Sequence, residues 1–165
     1  AAVEIVDRGA GARRARPALK RMPIYIDTSA LAKRYIAERG SDAFDAFLVE
    51  QTDDCVISPL VATELESIVQ RLRRQQLIDA RYATQVRRDF AQDLRAALWS
   101  MRPFAASGLT LAAELLRSLA SPLATLDALH LASAIELGCD ALATADRQLA
   151  VAAAERGLGV HPFML

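Results

Sequence analysis

From Ile24 onward, short β-branched or aromatic runs alternate with longer stretches whose apolar residues recur every three to four positions. IYID predicts a first strand, and TSALAKRYIAER a helix with Leu31, Tyr35 and Ile36 near one face. SDAFDAFLVEQ predicts a second helix, capped by Ser41, with Phe44, Phe47 and Leu48 turned inward. CVIS is the second strand. A long helix runs from Pro59 to Gln76, with proline at the early position where its missing N–H costs nothing. Asp79 opens another helix, with a stripe through Tyr82, Val86, Phe90, Leu94, Ala97, Leu98 and Met101. An extended piece is expected around Arg102–Phe104 and a helix over Thr110–Leu119, broken by Ser121-Pro122. Thr125 is the expected cap of the helix TLDALHLASAIEL, which ends at Gly138. ALATA, DRQLAVAAAER and LGVHPF then give strand, helix and strand. Such alternation predicts an α/β fold: a three-layer α/β/α sandwich around a mostly parallel sheet.

Residues 1–21 lack this patterning. They hold six bases (Arg8, Arg13, Arg14, Arg16, Lys20, Arg21) and two acids (Glu4, Asp7). The chain carries twenty of each sign, so residues 22–165 keep fourteen bases and eighteen acids, a net charge of −4. The division expected is a basic extension over 1–21, disordered or foreign to the domain, with Met22 its natural start, and one domain over 22–165. An Arg-rich tail of this kind is also suited to folding over an acidic cleft and inhibiting it. A −4 body is not a nucleic-acid footprint on charge alone.

The chain of 165 residues, 53% apolar, is long enough for one ordinary core. No apolar run reaches the roughly 18 residues of a membrane span, and no secretory h-region is visible, so a cytoplasmic protein without membrane contact is expected. Cys55 and Cys139 lie in separate motifs and read as buried free thiols. His130 and His161 are the only histidines and offer no zinc-ligand spacing.

Four acids stand out: Asp27 in IYIDTSAL, Glu64 in VATELES, Asp127 in TLDALHLASA and Asp146 in ATADRQL. In an open α/β sheet the working crevice lies beyond the carboxyl ends of the strands. Asp27 and Asp146 follow strands and precede helices, positions that also suit a helix N-cap. Asp127 falls in a first helical turn, where negative charge favours the dipole. Glu64 is three residues from Val61 and four from Ile68, so it borders an apolar face, where an unpaired acid is costly. Glu66 points to solvent. Converging carboxylates need a counter-charge, and no Lys, Arg or His recurs in the motifs to pair all four. A hard divalent cation, Mg²⁺ or Mn²⁺, solves this with oxygen ligands and suggests phosphodiester hydrolysis. His130, one turn after Asp127, reads as packed or as a support to such a site. Thr28, Ser29 and Thr144 are placed to hydrogen-bond the acids, and Arg147 to meet phosphate. Lys33 and Arg34 read as a solvated face.

In order and spacing, IDTSALAKRY, VATELES, LDALHLASAIELG and TADRQLA resemble the PIN-domain family, specifically its VapC-type toxins, over residues 22 to about 161. The resemblance implies a PIN-like α/β/α sandwich acting as a Mg²⁺- or Mn²⁺-dependent endoribonuclease, the toxin of a toxin–antitoxin pair. It carries catalytic and metal-ligand roles onto Asp27, Glu64, Asp127 and Asp146. It also implies an RNA substrate, a VapB-type antitoxin partner and a homodimer. Two alternatives stay open. One is a non-catalytic PIN-like module that binds RNA or a partner. The other is a haloacid-dehalogenase-type phosphatase, which needs a second Asp where this chain has Ser29.

Overall fold

A computed structural model describes residues 22–164; the basic segment 1–21 lies outside the described residues. Five short strands form one sheet: β1 (Ile24–Ile26), β2 (Cys55–Ile57), β3 (Ser100–Met101), β4 (Ala141–Thr144) and β5 (Gly159–Pro162). Their order is β3-β2-β1-β4-β5. Every pairing is parallel, with Ile24 opposite both Cys55 and Ala141, and Ala141 opposite Gly159.

Buried on both faces, the three central strands β2, β1 and β4 sort their side chains by the two-residue period of the pleat. Ile24, Ile26, Cys55, Ile57 and Ala143 enter one core. Tyr25, Val56 and Leu142 enter the other. The first core is covered by α1 (Thr28–Tyr35), α2 (Ser41–Glu50), α3 (Pro59–Arg74) and α4 (Ala80–Arg95). The second is covered by α5 (Ala106–Ser118), α6 (Thr125–Glu136) and α7 (Arg147–Glu155). The result is the expected α/β/α sandwich, and its sheet is parallel throughout. Both cysteines are buried. No helix among the described residues is long and apolar enough to cross a membrane.

This order fixes where a site can form. The crossovers from β1 to β2 and β2 to β3 run over the first face, and those from β3 to β4 and β4 to β5 over the second. The direction of winding reverses between β1 and β4, so their carboxyl ends flank a topological switch point, the crevice where open α/β sheets bind ligands.

Several boundaries differ from the sequence reading. Helix α1 stops at Tyr35 because Ile36 turns extended and is buried. Ser41 does not cap α2. Gly40 holds that position at φ +88°, a left-handed conformation suited to glycine, and an added Cβ would lie 2.9 Å from the Phe163 carbonyl oxygen. The Ser41 hydroxyl instead donates to the Ile36 carbonyl and accepts from the Glu38 N–H, closing the turn between α1 and α2. Strand β3 lies two residues before the expected position. The Arg102 N–H still reaches the Ile57 carbonyl, but Pro103 has no N–H with which to extend the ladder. Helix α5 starts at Ala106, four residues early, with Gly108 buried in its first turn. Thr125 is the first residue of α6 and Ala124 its N-cap.

Lys33 and Arg34 are not solvated. Lys33 is buried and donates to Glu38 (3.0 Å) and the Arg39 carbonyl (2.7 Å). Arg34 Nε lies 2.6 Å from Asp93 Oδ2, and both side chains are nearly covered. The Tyr35 hydroxyl donates to the same carboxylate at 2.8 Å and accepts from Trp99 Nε1 at 2.7 Å. This network ties α1 to α4, and Asp79 caps α4 as expected through the Tyr82 N–H.

Candidate metal centre

Asp27 follows β1 directly and is 3% exposed. Oδ1 accepts from the Ala30 N–H at 2.9 Å, so the residue does cap α1. The Ser29 hydroxyl lies 2.9 and 2.8 Å from Oδ1 and Oδ2, and the Thr144 hydroxyl donates to Oδ2 at 2.8 Å. Burial raises the Asp27 carboxyl above its ordinary value, opposed by the nearby His130 ring and these donors. Asp146, after β4, caps α7: its Oδ1 accepts from Gln148 N (2.7 Å) and Leu149 N (2.9 Å). Thr144 joins the two acids, because its hydroxyl also accepts from the Asp146 N–H at 2.9 Å. The capping role and a place at the switch point are therefore compatible for both residues.

Helix α6 leads straight into β4, so it runs antiparallel to the strands and begins at their carboxyl end. Its first turn brings Asp127 there. Burial raises the Asp127 carboxyl above its ordinary value. The Asp146 charge pushes it further and Asp27 adds to this, while His130 and the Ala124 N–H oppose them. That N–H lies at the N-cap and Asp127 at the third helical position, half of a capping box.

Glu64 comes from the other side of the sheet, on α3, and its side chain is 20% exposed. Its Oε2 accepts from the Thr28 hydroxyl at 2.5 Å and from His130 Nε2 at 2.6 Å. Despite some burial, these hydrogen bonds and the imidazole hold the Glu64 carboxyl below its ordinary value. His130 is thus a partner of Glu64, though no single base pairs all four acids. The His130 ring is 2% exposed, with Nδ1 2.9 Å from Tyr25 Oη, and Tyr25 Oη also meets Ser58 Oγ at 2.9 Å. Burial raises the Tyr25 phenol well above its ordinary value and keeps it neutral.

The four acids are thus brought to one end of the sheet. Asp27 and Asp146 are linked through Thr144, Asp127 is within electrostatic reach of both, and Glu64 joins through Thr28 and His130. Thr28, Ser29 and Thr144 bond the acids as anticipated. Arg147 is exposed. Tyr25 and Ser58 were not singled out from the sequence. The available signal was a tyrosine in the middle of a buried strand, whose hydroxyl must find a partner.

An all-oxygen set of carboxylates, of which Asp27 and Asp127 are raised by burial and Asp127 also by its acidic neighbours, fits a hard divalent cation in kind. Among the described residues, no three His, Cys, Asp or Glu side chains are already closed into a metal-holding group. The hydroxyls of Ser29, Thr144 and Thr28 take up acceptor positions on Asp27 and Glu64. Ser29 also stands where a haloacid-dehalogenase-type phosphatase needs its general acid, and its hydroxyl is engaged with Asp27 and the Ala145 N–H.

A parallel β3-β2-β1-β4-β5 sheet between two helical layers, with carboxylates gathered at its switch point, defines a class of α/β/α domain with an acidic centre. The chain belongs to the PIN-domain family, whose model matches residues 24–155. No curated protein matches it in sequence. Three similar solved structures share the fold. One is VapC20 of Mycobacterium tuberculosis, described as a Sarcin-Ricin loop cleaving toxin (17% identity, 78% of this chain and 94% of that one, TM-score 0.61). Another is FitAcB from Neisseria gonorrhoeae (18%, 85% and 97%, 0.62). The third is VapBC2 from Rickettsia felis bound to a DNA fragment from its promoter (16%, 86% and 98%, 0.58).

Proposed function

We propose that this chain is a Mg²⁺- or Mn²⁺-dependent endoribonuclease, the VapC-type toxin of a toxin–antitoxin pair, acting in the cytoplasm as a homodimer with a VapB-type antitoxin as its partner. The observation that carries this reading is the placing of Asp27 and Asp146 at neighbouring strand ends, joined through the Thr144 hydroxyl, with Asp127 in the first turn of α6 at the same end of the sheet, because crowded carboxylates favour a bound cation. The Sarcin-Ricin loop cleavage in the description of VapC20 supports RNA as the substrate class.

The four acids have distinct tasks in this reading. Asp27 and Asp146 are the first choice for direct ligands, one after β1 and the other after β4. Asp127 and Glu64 complete the site directly or through water and orient the attacking water. A bound divalent cation supplies a water of lowered pKa and charge stabilisation at the phosphodiester. Ser29 and Thr144 fix the Asp27 carboxylate, while Thr28 and His130 fix that of Glu64. The products are 5′-phosphate and 3′-hydroxyl ends.

The test is cleavage of RNA by the purified chain in Mg²⁺ or Mn²⁺, beside Asp27→Asn and excess EDTA. Cleavage lost in both, with the circular dichroism of Asp27→Asn unchanged, is expected. Undiminished cleavage in either rules the scheme out. RNA retained without cutting points to the binding-module alternative.

A further inference from the structure

The four acids do not account for a line of buried polar groups that runs through the end of the sheet. Ser58, Tyr25 and His130 are 0%, 0% and 2% exposed. They join β2's carboxyl end, the central strand β1 and helix α6 into one chain of hydrogen bonds that ends on Glu64 of α3. Burying three polar side chains costs stability unless each is satisfied, and apolar residues would pack between sheet and helix without that cost. Ser58 has a local use available, since it occupies the N-cap of α3, yet its side chain makes no cap bond. Its hydroxyl lies 2.9 Å from Tyr25 Oη instead.

The chemistry of the last link fixes the polarity of the line. An ionised Glu64 only accepts, so the proton between it and His130 resides on Nε2. In a neutral ring Nδ1 is then bare and accepts the Tyr25 O–H, and the Tyr25 oxygen accepts the Ser58 O–H. With Nε2 on Glu64 and Nδ1 on Tyr25, the imidazole is held in one tautomer and one orientation. Both donors to Glu64, Thr28 and His130, fall on Oε2, which leaves Oε1 as the oxygen to face a cation or its water.

We propose that His130 is a positioning residue for Glu64, with Tyr25 and Ser58 setting its tautomer so that Nε2–H pins Oε2 and presents Oε1 to the metal centre. This rests on the reading of Glu64 as an acid of that centre. A histidine placed merely to fill the core has no reason to prefer one ring nitrogen for the carboxylate. The hydrogen-bonded partners of metal-site residues typically change metal affinity by 10–100-fold when lost.

Two measurements test this. The first needs no variant at the site and no metal. Nitrogen-15 chemical shifts of the ring in the full chain, with His161 replaced to leave one histidine signal, report which nitrogen carries the proton. Protonated Nε2 with a bare Nδ1 is the expected result; Nε2 without a proton, or a proton on Nδ1, overturns the proposal. The second compares Mn²⁺ affinity by calorimetry in the wild-type chain, His130→Gln and His130→Asn. A Gln amide reproduces the Nε2 donor, whereas an Asn amide reaches only the Nδ1 position. His130→Gln is expected to stay within about threefold of wild type and His130→Asn to weaken by roughly 10–100-fold. Equal affinity in both variants contradicts positioning. Wild-type Mn²⁺ binding with no RNA cleavage counts against the nuclease reading and leaves this inference standing. Should Mn²⁺ not bind the wild-type chain, a protonated Nε2 still upholds the pinning of Glu64 and a bare one refutes it.

Discussion

Thr144 Oγ1 donates to Asp27 Oδ2 across 2.8 Å, a bond between residues 117 positions apart in the chain. The same oxygen accepts the Asp146 N–H at 2.9 Å. One hydroxyl therefore holds both strand-end acids of the switch point, one through its carboxylate and the other through its backbone. Thr144→Val keeps the shape and removes both bonds. The loss leaves a buried carboxylate oxygen one donor short, at a cost of about 1–3 kcal/mol. The variant is expected to unfold at lower denaturant and to bind Mn²⁺ roughly 10–100-fold more weakly. Wild-type values on both counts are incompatible with this linkage.

Stability should depend on pH in a direction set by the raised carboxyls. Burial raises Asp27, and burial with the charges of Asp146 and Asp27 raises Asp127. Such groups hold protons more tightly when folded, so stability falls as pH rises from the ordinary carboxylate value through the raised ones. Glu64 runs the other way: its contribution is present above the ordinary value and is lost as pH falls through its lowered one. Denaturant midpoints of the metal-free chain and of Asp127→Asn, taken between about pH 4 and 7, separate these terms. The wild-type midpoint should fall relative to the variant as pH rises. A relative rise contradicts the assignment.

The pair Arg34–Asp93 should govern stability without forming part of the site. Arg34→Met leaves the Asp93 carboxylate, now held by Tyr35 alone among the contacts described above, beneath α1 and α4. Breaking a buried pair from one side costs about 3–5 kcal/mol. The double change Arg34→Met with Asp93→Leu is expected to cost less than either single change, read from urea unfolding. Additive losses would show that the pair is not coupled.

If water is the nucleophile, the 2′-hydroxyl takes no part in bond breaking. An RNA with a single 2′-deoxy sugar at the cut position should still be cut and give a 5′-phosphate end. Products ending in 2′,3′-cyclic phosphate, resolved by mass spectrometry, would show a different chemistry.

Much of this fold was legible because it rests on local patterns. Strands β1 and β4 are short apolar runs followed by an acid and a helix, and the two-residue and 3.6-residue periods separate strand from helix. Asp27 and Asp146 were visible because a cap is a local signal, and both lie at the switch point as well. What stayed hidden depends on distant partners. Tyr25 and His130 meet across 105 positions, and Arg34 and Asp93 across 59. Periodicity tells that Arg34 lies on a helix but not that α4 will cover it. Ser41 looked like a cap because serine favours caps. The left-handed Gly40 took that place once Phe163 packed against the turn.

The central claim is that four acids from separate elements act as one cation-binding centre. Titrating Mn²⁺ into the wild-type chain and into Asp27→Asn, Glu64→Gln, Asp127→Asn and Asp146→Asn, with binding followed by electron paramagnetic resonance, tests it directly. Each amide is expected to weaken Mn²⁺ by about tenfold or more, roughly 1.4 kcal/mol, while the fold persists. Wild-type affinity in any one of the four would remove that residue from the centre, and wild-type affinity in all of them would contradict the account.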